Sequence, residues 1–133
     1  MKKKIKILIV RSLYNDTSKL FDSACKKLSD FNNISFSIKN VPGAFEIPVA
    51  ISKNIKKFDG FIAIGSIIKG ETPNFNFISE SITQGIMNLS ITHSKPIGNA
   101  ILTCLNKEQA IERYKKGKEA AEAVISVLDD QKE

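Results

Sequence analysis

The sequence predicts an α/β fold, a three-layer αβα sandwich on a four-stranded parallel sheet. Three observations predict it. Four short apolar runs, at 5–10, 34–41, 60–68 and 96–104, are each strand-sized. Each is followed by a segment whose apolar residues recur at helical spacing. The order is therefore βαβαβαβα, and strands alternating with helices imply a mostly parallel sheet covered on both faces.

The chain opens MKKKIKILIVRS, a basic front and an apolar run of the kind a secretory signal carries. That run is only strand-sized and no small-residue cleavage site follows it, so IKILIV is read as a buried parallel strand. RSLYNDTSK supplies turn and cap residues, with Asn15 or Asp16 placed to N-cap a helix carrying Leu20, Phe21, Ala24, Cys25 and Leu28. ISFSIKNV alternates apolar and polar residues, the pattern of a strand nearer an edge.

Pro42-Gly43 breaks the chain, and Pro48 is tolerated only in a first helical turn, so the next helix starts at about Ala44. GFIAIGSII is the most apolar run and is assigned a central strand. From Thr72 to about Thr92, Phe75, Ile78, Ile82, Ile86 and Leu89 form one stripe, with Gly85 allowing a close contact. PIGNAILTC is the fourth strand, and Lys107 to Asp130 reads as helix with a break near Lys116-Gly117. The arrangement is flavodoxin-like.

At 133 residues the chain has room for one core, a single domain over 1–133. No apolar stretch approaches the roughly 20 residues that span a bilayer, so no membrane partner is expected. The net charge of +6 raises nucleic acid as a partner. The lysines are scattered and no recognition motif accompanies them, so a solvated lysine surface is the better reading. Cys25 and Cys104 are too few for a disulfide framework and lack metal-ligand spacing. A cytoplasmic protein with reduced thiols is expected.

Open α/β sheets bind ligands beyond the carboxyl ends of their strands, near helix N-termini. RSLYN, PGAFE, GSIIKGETPN and TCLNK all fall there. GETPN precedes a helix, so its backbone N–H groups favour an anion; Gly70 lets the backbone approach, and the Thr72 hydroxyl can donate. The same residues also make a sound helix cap with no function. Glu46, in a first helical turn, either complements the helix dipole or accepts hydrogen bonds from a hydroxylated or amino-bearing ligand. His93, the only histidine, falls near a helix C-terminus, where it compensates the dipole. The only arginines are Arg11 and Arg113, and Arg113 is nominated as an anion clamp.

Taken together, VPGAFEIPVA, GSIIKGETPNF, IGNAILT and NKEQAIERY with its Lys-Gly pair resemble the lumazine synthase family of riboflavin biosynthesis. The resemblance runs in order along nearly the whole chain. It implies condensation of 5-amino-6-(D-ribitylamino)uracil with 3,4-dihydroxy-2-butanone 4-phosphate to 6,7-dimethyl-8-ribityllumazine, phosphate and water. It also implies that no cofactor or metal is used, and that active sites lie between neighbouring subunits of at least a pentamer. By the same resemblance Ala44, Phe45 and Glu46 hold the ribityl chain and pyrimidine, while Ser66, Ile67 and Ile68 present backbone groups to the pyrimidine. Glu71 and Thr72 grip the phosphate, with Arg113 as its charge partner. Asn99 packs around the pyrimidine from the adjacent subunit, and Lys116 matches a lysine near the same pocket.

Three departures from the family pattern stand out. Asn74 replaces the usual histidine, and an amide can orient a group but cannot act as a general acid or base. The family's Arg-Phe after the first strand is replaced by Ser12-Leu13-Tyr14: Leu13 takes the aromatic's place in the simplest alignment, and Tyr14 is the alternative for stacking. The segment between Arg113 and Lys116-Gly117 is shorter than the family's glycine-containing loop. The competing expectation is a non-catalytic relative that binds a lumazine or flavin, or serves as a scaffold. Asn74 and Leu13 favour it; Gly70, Glu71, Thr72, Arg113 and Glu46 argue against it. An unrelated nucleotide binder is disfavoured because RSLYND lacks the phosphate loop such a fold needs.

Overall fold

The computed structural model describes residues 3–70 and 74–129. Four strands, β1 (Ile5–Ser12), β2 (Ile34–Val41), β3 (Gly60–Ile68) and β4 (Ile97–Cys104), form one parallel sheet in the order β2-β1-β3-β4. Between them run α1 (Ser18–Leu28), a single 3-10 turn (Ala44–Glu46) leading into α2 (Ile47–Lys53), α3 (Asn74–His93), and then α4 (Lys107–Glu112) and α5 (Lys116–Leu128). The flavodoxin-like α/β sandwich expected from the sequence is present.

Side-chain alternation along the strands builds the two faces. Ile5, Ile7 and Ile9 of β1 and Ile62 and Ile64 of β3 point to one side, where Leu20, Ala24 and Leu28 of α1 and Ala120, Ala121 and Val124 of α5 cover them. Leu8, Val10, Phe61 and Ala63 point to the other, against Ile47 and Ile51 of α2 and Ile82 and Ile86 of α3. Both central strands are therefore buried on two sides, which explains their near-continuous apolar runs. β2 and β4 are the edges, and the alternating ISFSIKNV lies on one of them.

Several boundaries differ from expectation for local reasons. The helix α1 starts at Ser18; Asp16 Oδ1 accepts the Ser18 N–H at 2.9 Å, and Thr17 occupies the cap position without a side-chain capping bond. Asn15 is not a cap. Pro48 sits in the first turn of α2, as its missing N–H requires. The break in the last helical segment falls at 113–115, just before Lys116-Gly117. Gly117 is instead in the first turn of α5, packed on α1: a Cβ there would meet the Leu20 carbonyl oxygen at 2.1 Å. Gly85 faces Pro48, where a Cβ would sit at ordinary contact distance, 3.4 Å, so no glycine is demanded there.

Pairing leaves one opening. β1 pairs with β3 from Ile7↔Gly60 to Arg11↔Ile64, and β3 then continues to Ile68 beside β4 alone. From Gly65 onward the β1-facing edge of β3 has no strand partner. This is where the chain order reverses across the sheet, the place at which open α/β folds bind ligands.

Candidate active site

A cleft of about 340 Å³ opens at that edge, within the size range of small-molecule sites. Four segments line it: Tyr14 and Asn15 after β1, Gly43, Ala44 and Phe45 after β2, Ser66, Ile67, Ile68 and Gly70 at the end of β3, and Asn74, Phe75 and Ile78 on α3. Eight residues singled out by the sequence, Tyr14, Ala44, Phe45, Ser66, Ile67, Ile68, Gly70 and Asn74, thus come together. Glu71 and Thr72 lie outside the described residues.

Each wall has a local cause. Leu13 N–H donates to the Val41 carbonyl at 2.9 Å and Tyr14 N–H to the Pro42 carbonyl at 3.0 Å, continuing the β1–β2 ladder past its last strand pair. Tyr14 lines the cleft while remaining exposed, whereas Leu13 is not among the lining residues. Gly65 lets the Ala44–Glu46 turn lie close on β3: a Cβ would be 3.1 Å from Ser12 Oγ and 3.5 Å from Ala44 Cβ. Glu46 does not line the cleft; its Oε1 accepts the Gly43 N–H at 2.9 Å and closes the turn. A carboxylate retains further acceptor capacity on its second oxygen. Asn74 is the first described residue of α3 and is exposed at the rim, so an amide stands at the end of a 20-residue helix whose N-terminus attracts anions.

Other predicted residues stand apart in this chain. Arg113 closes α4 in the turn before α5, exposed and without a side-chain hydrogen bond or ion pair among the described residues. Lys116 Nζ lies 3.7 Å from Glu119 on the exposed start of α5. Both belong to the helix layer opposite the one that carries Asn74 and Phe75. Asn99 is on the outer strand β4, exposed, its Oδ1 accepting the Ile101 N–H at 3.0 Å. Arg11 is structural: Nε donates to Thr17 Oγ1 at 3.0 Å, and the guanidinium stacks 4.4 Å from the Phe21 ring. His93 ends α3 and is exposed, far along the helix from the cleft.

The site holds two features that the sequence reading did not assign. Asn15, read there as a cap, has φ of 66° and donates Nδ2–H to the Ser66 carbonyl at 2.7 Å. Its place in a turn after a strand was the available signal, but an asparagine there serves cap and left-handed turn alike. Phe75 and Ile78 read only as part of a helical stripe, yet they line the cleft near the half-buried start of α3. The electrostatics are mild. Asp16, just outside, is held below the usual carboxyl range by the Ser18 backbone N–H and then by its side chain. Burial pushes the Cys25 thiol up, away from the cleft. Among the described residues no cluster of three His, Cys, Asp or Glu groups could hold a metal, and no helix is long and apolar enough to cross a membrane.

Comparison with known proteins places the chain in a family. The family profile described as 6,7-dimethyl-8-ribityllumazine synthase matches residues 4–132. The chain is 39% identical over 137 residues to the 6,7-dimethyl-8-ribityllumazine synthase of Buchnera aphidicola subsp. Baizongia pistaciae, covering 96% of this chain and 86% of that protein. Against the Cutibacterium acnes enzyme of the same name it is 35% identical, covering 93% and 80%. Against that of Campylobacter jejuni it is 43% identical over 106 residues, covering 74% and 69%. Two thirds or more of both partners is matched in each case, and the chain belongs to the 6,7-dimethyl-8-ribityllumazine synthase family.

Proposed function

We propose that this protein condenses 5-amino-6-(D-ribitylamino)uracil with 3,4-dihydroxy-2-butanone 4-phosphate, releasing 6,7-dimethyl-8-ribityllumazine, phosphate and water in riboflavin biosynthesis. The observation that carries this reading is the cleft at the unpaired end of β3, which gathers family-motif residues from four separate segments. The strand-end backbone of Ser66–Ile68 faces the pyrimidine, with Tyr14 and Phe45 as aromatic walls. Ala44, Phe45 and Glu46 hold the ribityl chain. Gly70, Glu71 and Thr72, before the N-terminus of α3, receive the phosphate, and an arginine guanidinium matches it by a bidentate pair.

The reaction asks the protein mainly for alignment. The ring amine attacks the ketone carbonyl and water leaves as the C=N bond forms. Loss of the neighbouring C–H proton then lets phosphate depart with its C–O electron pair. The enol left behind becomes a carbonyl, and the ribityl-bearing nitrogen attacks it and expels a second water as the new ring closes. An amine needs no strongly activated nucleophile, and holding two reactants in register supplies a larger rate term than a single acid–base group. With Asn74 in place of a proton-transfer group, the substrate phosphate or water relays protons. The anion site stabilises phosphate as it leaves. No metal or cofactor takes part in these steps.

Arg113, Lys116 and Asn99 are read as donated to the cleft of a neighbouring copy, because this chain carries them on its opposite helix layer and outer strand. Large exposed apolar residues on α2 and α3, Val49, Phe77, Met87 and Ile91, give such copies a surface to bury. The assembly we favour is a homopentamer, in the cytoplasm, with the whole of 1–133 as one domain. A scaffold or simple binding role is not favoured, since it gives no reason for the strand-end residues and Arg113 to persist together. The direct test is lumazine formation, followed by absorbance against the uncatalysed background, with Arg113→Ala as control. A rate well above background that falls by about 10²–10³-fold in the control is expected. A rate equal to background would refute the reading.

A further inference from the structure

We infer that Asn15 is a positioning residue for the aromatic wall of the cleft, and through it a determinant of affinity for the ribitylaminouracil. The inference rests on the reading of the cleft above. Three hydrogen bonds hold Leu13, Tyr14 and Asn15 in the loop after β1. Leu13 N–H and Tyr14 N–H tie it to the Val41 and Pro42 carbonyls on the β2 side. On the other side the chain has already left β3, whose partner in β1 ends at the Arg11↔Ile64 pair. Asn15 spans that opening with its side chain, donating Nδ2–H to the Ser66 carbonyl at 2.7 Å across 51 residues of sequence. It therefore takes the place of the missing strand, satisfying a β3 carbonyl that would otherwise face the cleft without a donor.

The backbone makes this possible. With φ at 66°, Asn15 is one of only two non-glycine residues in the left-handed region among the described residues. Asparagine tolerates that region better than any other residue with a donor of this reach. The reversal at Asn15 turns the preceding residue, Tyr14, toward the cleft. Tyr14 is 75% exposed, so little packing holds it and its placement depends on the backbone that Asn15 anchors. The same bond uses one of the two lone pairs of the Ser66 carbonyl and fixes the direction of the strand end beside the cleft.

The test separates the amide from the backbone conformation. Asn15→Gly keeps access to the left-handed region and removes the donor, whereas Asn15→Asp keeps the shape and replaces the donor with an acceptor facing a carbonyl. Both, with Tyr14→Leu and the Asn15→Asp/Tyr14→Leu double variant, are compared with the wild-type oligomer by steady-state kinetics. Circular dichroism checks folding. Each Asn15 variant is expected to raise KM for the ribitylaminouracil by about tenfold, the size of one hydrogen bond. KM for the butanone phosphate is expected to stay within about twofold. The double variant should be no worse than Tyr14→Leu alone, since both changes remove the same ring. An Asn15→Gly enzyme with wild-type constants, equal losses for both substrates, or fully additive effects would overturn the inference. A wild-type protein that forms no lumazine and does not bind the ribitylaminouracil would overturn the reading of the cleft as well, and is told apart by needing no variant.

Discussion

Asn74 puts an amide at the mouth of the cleft, where an imidazole would carry protons at neutral pH. If alignment is the main term, Asn74→His restores an acid–base group without disturbing it, and kcat should rise severalfold or more. An unchanged or lowered kcat would show a site rebuilt around asparagine. Asp16 offers a second check at this scale. Its carboxyl is lowered first by the Ser18 backbone N–H and then by the Ser18 side chain, so it stabilises the fold above the ordinary carboxyl pKa. That contribution is lost as pH falls through the lowered value. The stability gap between wild type and Asp16→Ala, read by thermal unfolding, should therefore be present at neutral pH and vanish in strong acid.

Glycines set how closely the elements pack. At Gly117 a Cβ would lie 2.1 Å from the Leu20 carbonyl oxygen, and at Gly98 one would lie 2.5 Å from that of Ala120. Backbone cannot yield as a side-chain tip can. Gly117→Ala should destabilise by roughly 1–3 kcal/mol or more by chemical denaturation, while Gly85→Ala, facing only Pro48 at 3.4 Å, should be near neutral. Strands and helices were legible in the sequence because their periods are local. GFIAIGSII announced a strand buried on both faces, and ISFSIKNV an edge. The Gly117 contact was not legible, since the helix break and the close approach to α1 both sit beside a Lys-Gly pair. Nor was the job of Asn15, because its partner Ser66 is 51 residues away and only the finished sheet shows the unpaired edge between them.

For the whole molecule, the division of the site residues is the central feature. Tyr14, Ala44, Phe45, Ser66, Ile67, Ile68, Gly70 and Asn74 share one cleft, while Asn99, Arg113 and Lys116 lie on other surfaces of the same chain. The sequence motifs named both sets, and the family resemblance placed Asn99 in the adjacent subunit, but only the fold shows that Arg113 and Lys116 also lie on the layer away from the cleft. A site completed between subunits, as proposed above, explains the separation. Two variants of the chain test it most directly: Arg113→Ala, which damages the donated group, and Ala44→Trp, which fills the cleft. Each alone should form lumazine at close to background rate. The measurement is lumazine formation by oligomers from cells expressing both together. Sites pairing an intact cleft with an intact Arg113 should restore a clear fraction of wild-type activity. Mixed oligomers as inactive as the separate variants would show that cleft and arginine serve within one chain, contradicting the account.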